Sequence, residues 1–295
     1  MTLKPTLATF LIIFLAVTAF GMTAPGAAQG LDGLTSDSEK PVEIFADDGI
    51  EWIQDKKQYI ARGNAQAKRD DVTVNADVLT AHYRDTDAGG TDIWRLDADG
   101  NVKITNPTTT ARGDRGVFNI DKGILVLTGR NLKMTADGNV VTARDSLEFW
   151  QNKKMAVARG DAKVNSEGKV LTADILTAYF HDVAGKGTKI QRLEAFGNVK
   201  IETPTETATS DRGVYEIETG VASIYGSVKI IRDKNILTGE YGQVNLNTGV
   251  SRLLNATPGS KNKGRVRAVF SPKKKPKTTT KEKTEEKKQQ EKPTP

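Results

Sequence analysis

A 97-residue repeat constrains this chain more than any other feature of it. "ARGNAQA" at 61–67 becomes "ARGDAKV" at 158–164, and the correspondence then runs on without a gap. "ADVLTAHY" at 76–83 meets "ADILTAYF" at 173–180, and "RLDADGNVKI" at 95–104 meets "RLEAFGNVKI" at 192–201. "DRGVFNIDKG" at 114–123 meets "DRGVYEIETG" at 211–220. A partial third copy opens with "NILTGEY" at 235–241, which resembles "NVVTARD" at 139–145. A unit that cannot close its own core stacks on its neighbours. The body is therefore expected to be one elongated array, not two independent globules.

Inside the repeat, apolar and polar residues alternate with period two. Val102 and Ile104 flank Lys103, Phe118 and Ile120 flank Asn119, and Tyr215 and Ile217 flank Glu216. Half-buried antiparallel strands read this way, and no helical period competes with them. Glycines fall at 63, 100 and 129 and again at 160, 197 and 226. A Gly followed by Asn or Asp between alternating segments predicts a hairpin corner, because such a turn needs positive φ. Roughly fifteen to twenty short strands follow at typical spacing. The fold class is all-β, as a solenoid or an extended jellyroll of antiparallel strands with tandem internal repeats.

The two ends are different material. Lys4, the apolar run "LATFLIIFLAVTAF" at 7–20 and the small-residue stretch after it predict a secretory signal over 1–28, cleaved near Ala28. The run of 14 is short for a membrane span, which takes roughly 20 residues. Residues 29–40 read as a flexible lead-in and 41–270 as the β body. From Ser271 to Pro295 there is no apolar residue, which predicts a disordered Lys-rich tail. That tail carries nine Lys and four Glu, so removing its +5 and Lys4 from the chain's +6 leaves a neutral body. The basic balance belongs to the tail, and no nucleic-acid partner is expected.

Little catalytic chemistry is on offer. Cysteine is absent, and the two histidines, His82 and His181, do not correspond under the 97-residue shift. A duplicated metal or proton-transfer site would repeat them, so no metal or other cofactor is expected. His82 is placed on a strand face and His181 in a turn. Asp77 with Asp174, and Asp114 with Asp211, do repeat. Paired carboxylates can serve as acid and base, but Asp beside Ala or Arg-Gly at a strand edge more simply satisfies turn backbone. The repeated "DRG" is read as an Asp–Arg surface pair at a bend. The expectation is a binding protein and not an enzyme. Its apolar stripe fits either a closed core, as in a structural or surface β-solenoid without lipid, or an open groove.

Several segments in order resemble the LptA/OstA family of periplasmic lipopolysaccharide-transport proteins. They are "PVEIFADDGIEW", "GNAQAKRDDVTVNADVLT", "VFNIDKGILVLTGRNLKM" and "GRVRAVFSP" before the Lys-rich tail, spanning about 41–275. The resemblance implies a twisted β-jellyroll open along one side, located in the periplasm, that carries lipopolysaccharide from the inner to the outer membrane. It implies an LptC-like inner-membrane partner at the N-terminal edge, near 41–46, and an LptD-like outer-membrane translocon at the C-terminal edge, near 265–270. Head-to-tail self-association would join such bodies. Carried over onto this chain, the groove-lining positions are Val42, Ile44, Phe118 and Ile120, and the repeat adds Tyr215 and Ile217. The extra 97-residue copy marks a lengthened member.

Overall fold

The computed structural model describes residues 42–270, apart from 88, 137, 184–186, 246, 249, 258 and 261–264. The signal peptide, lead-in and Lys-rich tail expected from the sequence lie outside the described residues. What is described is almost entirely strand, as the Val-, Ile-, Thr- and aromatic-rich alternation demands.

The first copy holds β1 (Glu43–Phe45), β2 (Gly49–Ile53), β3 (Gln58–Arg69), β4 (Val72–Thr86), β5 (Gly90–Thr105), β6 (Thr109–Asn119), β7 (Ile124–Thr128) and β8 (Leu132–Ala136). The second holds β9 (Asn139–Ala143), β10 (Ser146–Trp150), β11 (Met155–Ser166), β12 (Lys169–Val183), β13 (Gly187–Glu202), β14 (Glu206–Glu216) and β15 (Val221–Arg232). The third, partial copy holds β16 (Asn235–Asn245), β17 (Val250–Leu254) and β18 (Arg267–Val269). Two 3-10 turns, Gln54–Lys56 and Gln151–Lys153, occupy equivalent places in the first two copies.

All pairing is antiparallel and follows chain order. Short strands pair up to stand for one long strand: β1 with β2, β7 with β8, β9 with β10, and β17 with β18. The array therefore has fourteen strand positions. Each long strand has two halves that pair separately. In β3, Gln58–Arg62 pairs with β2 and the far half of β4, whereas Ala65–Arg69 pairs with β1 and the near half of β4. The halves thus build two layers, joined along a seam where every strand crosses from one layer to the other. This is a two-layer antiparallel jellyroll with tandem repeats.

The seam corrects one sequence expectation. Gly63–Asn64, Gly100–Asn101, Gly160–Asp161 and Gly197–Asn198 are not hairpin turns; each lies inside a strand, at a register shift. At Gly100 and Asn101 φ is +80° and +47°. Two consecutive left-handed residues bend the strand like a bulge. The hairpin turns lie elsewhere, on the two rims far from the seam, such as 70–71 and 106–108. At the second of these, Asn106 Oδ1 accepts from the backbone amides of Thr108 at 2.9 Å and Thr109 at 2.6 Å.

Two smaller placements also change. His181 lies in β12, not in a turn. His82 is on a strand face as expected, with Nε2 3.1 Å from Asp97 Oδ2. The "DRG" aspartate does not pair with the adjacent arginine. Asp114 receives the Arg130 backbone amide at 2.8 Å, while Arg115 Nε sits 3.2 Å from Asp99.

Candidate functional site

The inner faces of the two layers form a trough with the seam as its floor. In layer two one row of side chains faces inward across every strand position. It runs from Ile44 through Val74, Ile104, Leu171, Ile201 and Ile230 to Ala268, each opposite the next strand's member. All fourteen positions of that row are apolar. Layer one answers with a row from Trp52 through Leu96, Phe118, Phe149, Leu193 and Tyr215 to Ser251, apolar everywhere but its last position. At about 4.8 Å per strand, the trough is roughly 60 Å long.

The layers approach most tellingly around β5. Layer one contributes Leu96, Ala98, Gly116, Phe118 and Leu125 there; layer two contributes Val74, Val102 and Ile104. The free space they leave is about 10 Å³, the room of one water-sized sphere. A space that small takes in a slender apolar molecule only if the layers part. Strand pairing joins the layers at the seam and, among the described residues, nowhere along the rims, so parting breaks side-chain contacts and no ladder.

The seam is held by a recurring carboxylate. Asn101 Nδ2 donates to both oxygens of Asp77, at 3.1 and 2.9 Å, and Asn198 repeats this with Asp174 at 3.1 and 2.9 Å. Asn64 donates to Asp47 at 2.7 Å. The Arg130 backbone amide holds the Asp114 carboxyl below its ordinary range. A Cβ at Gly100, Gly197 or Gly226 would overlap the facing Asp77, Asp174 or Asp211. The repeated acids crowd the seam from inside strands and not from the turns expected of them: Asp114 accepts a backbone amide, whereas Asp77 and Asp174 accept from Asn side chains. Asp77 and Asp174 share no acid–base cleft, and no group of three or more metal-ligating side chains occurs among the described residues.

Of the six expected groove positions, four from the family resemblance and two from the repeat, Phe118 and Tyr215 are buried in the trough at equivalent places. Ile120 and Ile217 follow them in the rim turns and pack against the same core. Ile44 opens the layer-two row, whereas Val42 precedes β1 and is 38% exposed. Sequence reasoning passed over the small members of the trough, Ala67, Ala98, Ala195, Gly116 and Gly213. Their signal was available: each sits in register with a large apolar residue on the next strand but one.

Outside the trough, layer one carries charged networks. Glu148 is drawn up by burial, but bonds from Arg159 at 2.7 Å, Trp150 at 2.9 Å and Ser146 at 2.8 Å outweigh that and keep its carboxyl below the usual range. Glu206, on the layer-two rim, is different: burial raises its pKa, Arg232 stands 3.5 Å from one oxygen, and the other oxygen has no hydrogen-bond partner among the described residues. The strand ends of the array are apolar. Phe45 and Trp52 are 52% and 56% exposed at one edge, and Phe270 is 60% exposed at the other.

The fold and the site define a long two-layer antiparallel jellyroll with a continuous apolar lining. The family model described as LptA/(LptD N-terminal domain) LPS transport protein matches twice, over residues 43–145 and 144–250. The chain belongs to that family of lipopolysaccharide-transport proteins. An uncharacterised protein of Rhizobium meliloti (strain 1021) is 23% identical over 151 residues, covering 48% of this chain and 81% of the relative. Among solved structures, LptH is similar to 45% of this chain. LptH is the LptA homologous periplasmic component of the lipopolysaccharide transport device of Pseudomonas aeruginosa. The likeness covers 95% of LptH at 21% identity and a TM-score of 0.38. No helix among the described residues is long and apolar enough to cross a membrane.

Proposed function

We propose that this chain is a lengthened periplasmic bridge protein. It holds lipopolysaccharide by the acyl chains between its two layers and passes it from the inner towards the outer membrane. The observation that carries this is the pair of inward rows, apolar at every strand position but the last of layer one, with the layers joined among the described residues along the seam alone. Burying a dozen methylenes is worth about 10 kcal/mol. Against that stands the parting of side chains such as Phe118 and Leu125, at about 1.5–3 kcal/mol each. With several such side chains displaced, the two amounts nearly cancel, and cargo is held reversibly enough to move on.

The open edges supply the partners. Among the described residues no further strand pairs outside β1 and β2 or outside β17 and β18, and Phe45, Trp52 and, just past β18, Phe270 are exposed there, which suits strand addition. An LptC-like inner-membrane protein fits the β1/β2 edge and an LptD-like translocon the β17/β18 edge. Head-to-tail self-association is also consistent with the strand count. An even number of strand positions makes first and last strands run oppositely, so a second copy continues the antiparallel order.

A second reading, a closed structural β-stack, draws on the narrow space around Phe118. Crosslinking in cells separates the two. With Phe118 replaced by a photoreactive phenylalanine, a lipopolysaccharide adduct is expected; at Val126, on the outer face, none. Absence of an adduct at Phe118 sinks the carrier reading.

A further inference from the structure

The residues lining the pocket around Phe118 have counterparts in the second copy. Moving its eight lining positions by 97 residues gives Leu193, Ala195, Val199, Ile201 and Gly213 unchanged, with Leu171 for Val74, Tyr215 for Phe118 and Ala222 for Leu125. The pairing is reproduced residue for residue. Leu96 faces Phe118 and Phe118 faces Leu125; Leu193 faces Tyr215 and Tyr215 faces Ala222. Val74 faces Ile104, and Leu171 faces Ile201. The same large–small relief therefore recurs between the same two layers. Six strand positions separate the two places, β5 to β13, which is about 29 Å at 4.8 Å per strand.

That distance sets the occupancy. A bilayer core of about 30 Å holds two opposed sets of acyl chains, so one chain reaches roughly half of it. A lipid anchored at the first pocket cannot fill the second, even with its chains laid along the trough. We infer that one molecule of this protein holds two lipid molecules at once, one per copy, in tandem pockets centred on Phe118 and Tyr215. Transfer between them then occurs inside one chain, with no edge to cross. The pockets are not equal: Ala222 gives the second more room than Leu125 gives the first, and Tyr215 adds a hydroxyl. This inference rests on the carrier reading above.

The test counts lipids on the purified chain. With photoreactive phenylalanine at both 118 and 215 and saturating lipopolysaccharide, intact mass after irradiation is expected to include chains bearing two adducts. Native mass spectrometry of the unmodified chain should likewise give two lipids per chain. Ala98→Leu and Ala195→Leu, each checked for an intact unfolding transition, should each lower that number from two to one. Saturation at a single lipid, or loss of all binding from either filling variant, overturns tandem occupancy while leaving the carrier reading intact. No adduct at either position would instead overturn the carrier reading itself.

Discussion

Replacing Gly100 by Ala probes the seam at its tightest point. Gly100 has φ of +80° and an added Cβ would overlap the Asp77 carboxylate. A side chain in the left-handed region costs about 1–2 kcal/mol, of which about 0.4–1 is returned by the stiffer unfolded chain. The carboxylate must also turn away and give up the two bonds from Asn101, each worth about 0.5–1.5 kcal/mol. The expected loss is about 2–4 kcal/mol by the sum of these effects. Gly138 provides the control. Its φ is +78°, but nothing lies within 4 Å of an added Cβ, so Gly138→Ala should cost only the conformational share, about 1 kcal/mol.

Equilibrium urea unfolding of the two variants reads the difference directly. Adding Asp77→Ala separates crowding from lost bonding. Once the carboxylate is gone, Gly100→Ala should cost about what Gly138→Ala costs, giving a coupling of about 1–3 kcal/mol in the double-mutant cycle. Gly100→Ala within about 0.5 kcal/mol of Gly138→Ala, or strict additivity with Asp77→Ala, would refute the account of the seam.

Glu206→Gln should raise the melting temperature at pH 7, because burial penalises a charge with one unpartnered oxygen. Its pKa is raised, so the penalty fades as pH falls through the folded value and the gain from Gln should shrink with it; a gain that grows in acid would contradict this. Asp114 has the opposite sign. Its folded pKa is depressed by the Arg130 amide from the ordinary 3.8, so its contribution is present above that value and lost as pH falls through the lower folded one. Asp114→Asn should therefore flatten the acid limb of stability, measured by urea midpoints from pH 5 downward. Phe45→Glu and Phe270→Glu, at exposed edge positions, should reduce concentration-dependent growth in light scattering and leave the unfolding transition in place; unchanged association would remove these edges from the assembly.

The strand content, the repeat and the single continuous array were legible because period two and a 97-residue shift are local or self-referential signals. The seam was not. A hairpin of the favoured two-residue kind and a mid-strand corner both demand consecutive positive φ, so Gly63–Asn64 and Gly100–Asn101 satisfy either. Only the pairing of β3 with two different partners decides, and that is a long-range fact. The trough was half legible for a related reason. Phe118 and Tyr215 announce themselves by size, but Gly116, two residues before Phe118 on its own strand, matters by facing Ala98 on the next, and hydropathy along one strand cannot show that. Val42 illustrates the converse: its apolar side chain is alternation-compatible, yet the strand begins one residue later and leaves it half-exposed.

The two copies also argue about which face does the shared work. Five of eight pocket positions are identical between them. On the outer face, Val78, Asp99, Arg115 and Thr128 form one row, and their counterparts are Ile175, Phe196, Arg212 and Tyr225; only the arginine persists. There the Arg212 guanidinium lies 4.7 Å from the Phe196 ring centre and 5.9 Å from that of Tyr225, a contact the first copy has no rings to make. Along this row the outer face differs between the copies more than the pocket lining does. The junction between copies sharpens this. β9 and β10 dock on β8 and β7 through continuous pairing, Met134 opposite Val141 and Leu127 opposite Leu147. β1 and β2 are the 97-residue equivalents of β9 and β10, and nothing precedes them in the described array. The internal junction is therefore a worked example of what a partner joining at the proposed N-terminal edge would present: a split strand with one half in each layer and the apolar rows in register. A partner built that way would extend the trough without a step.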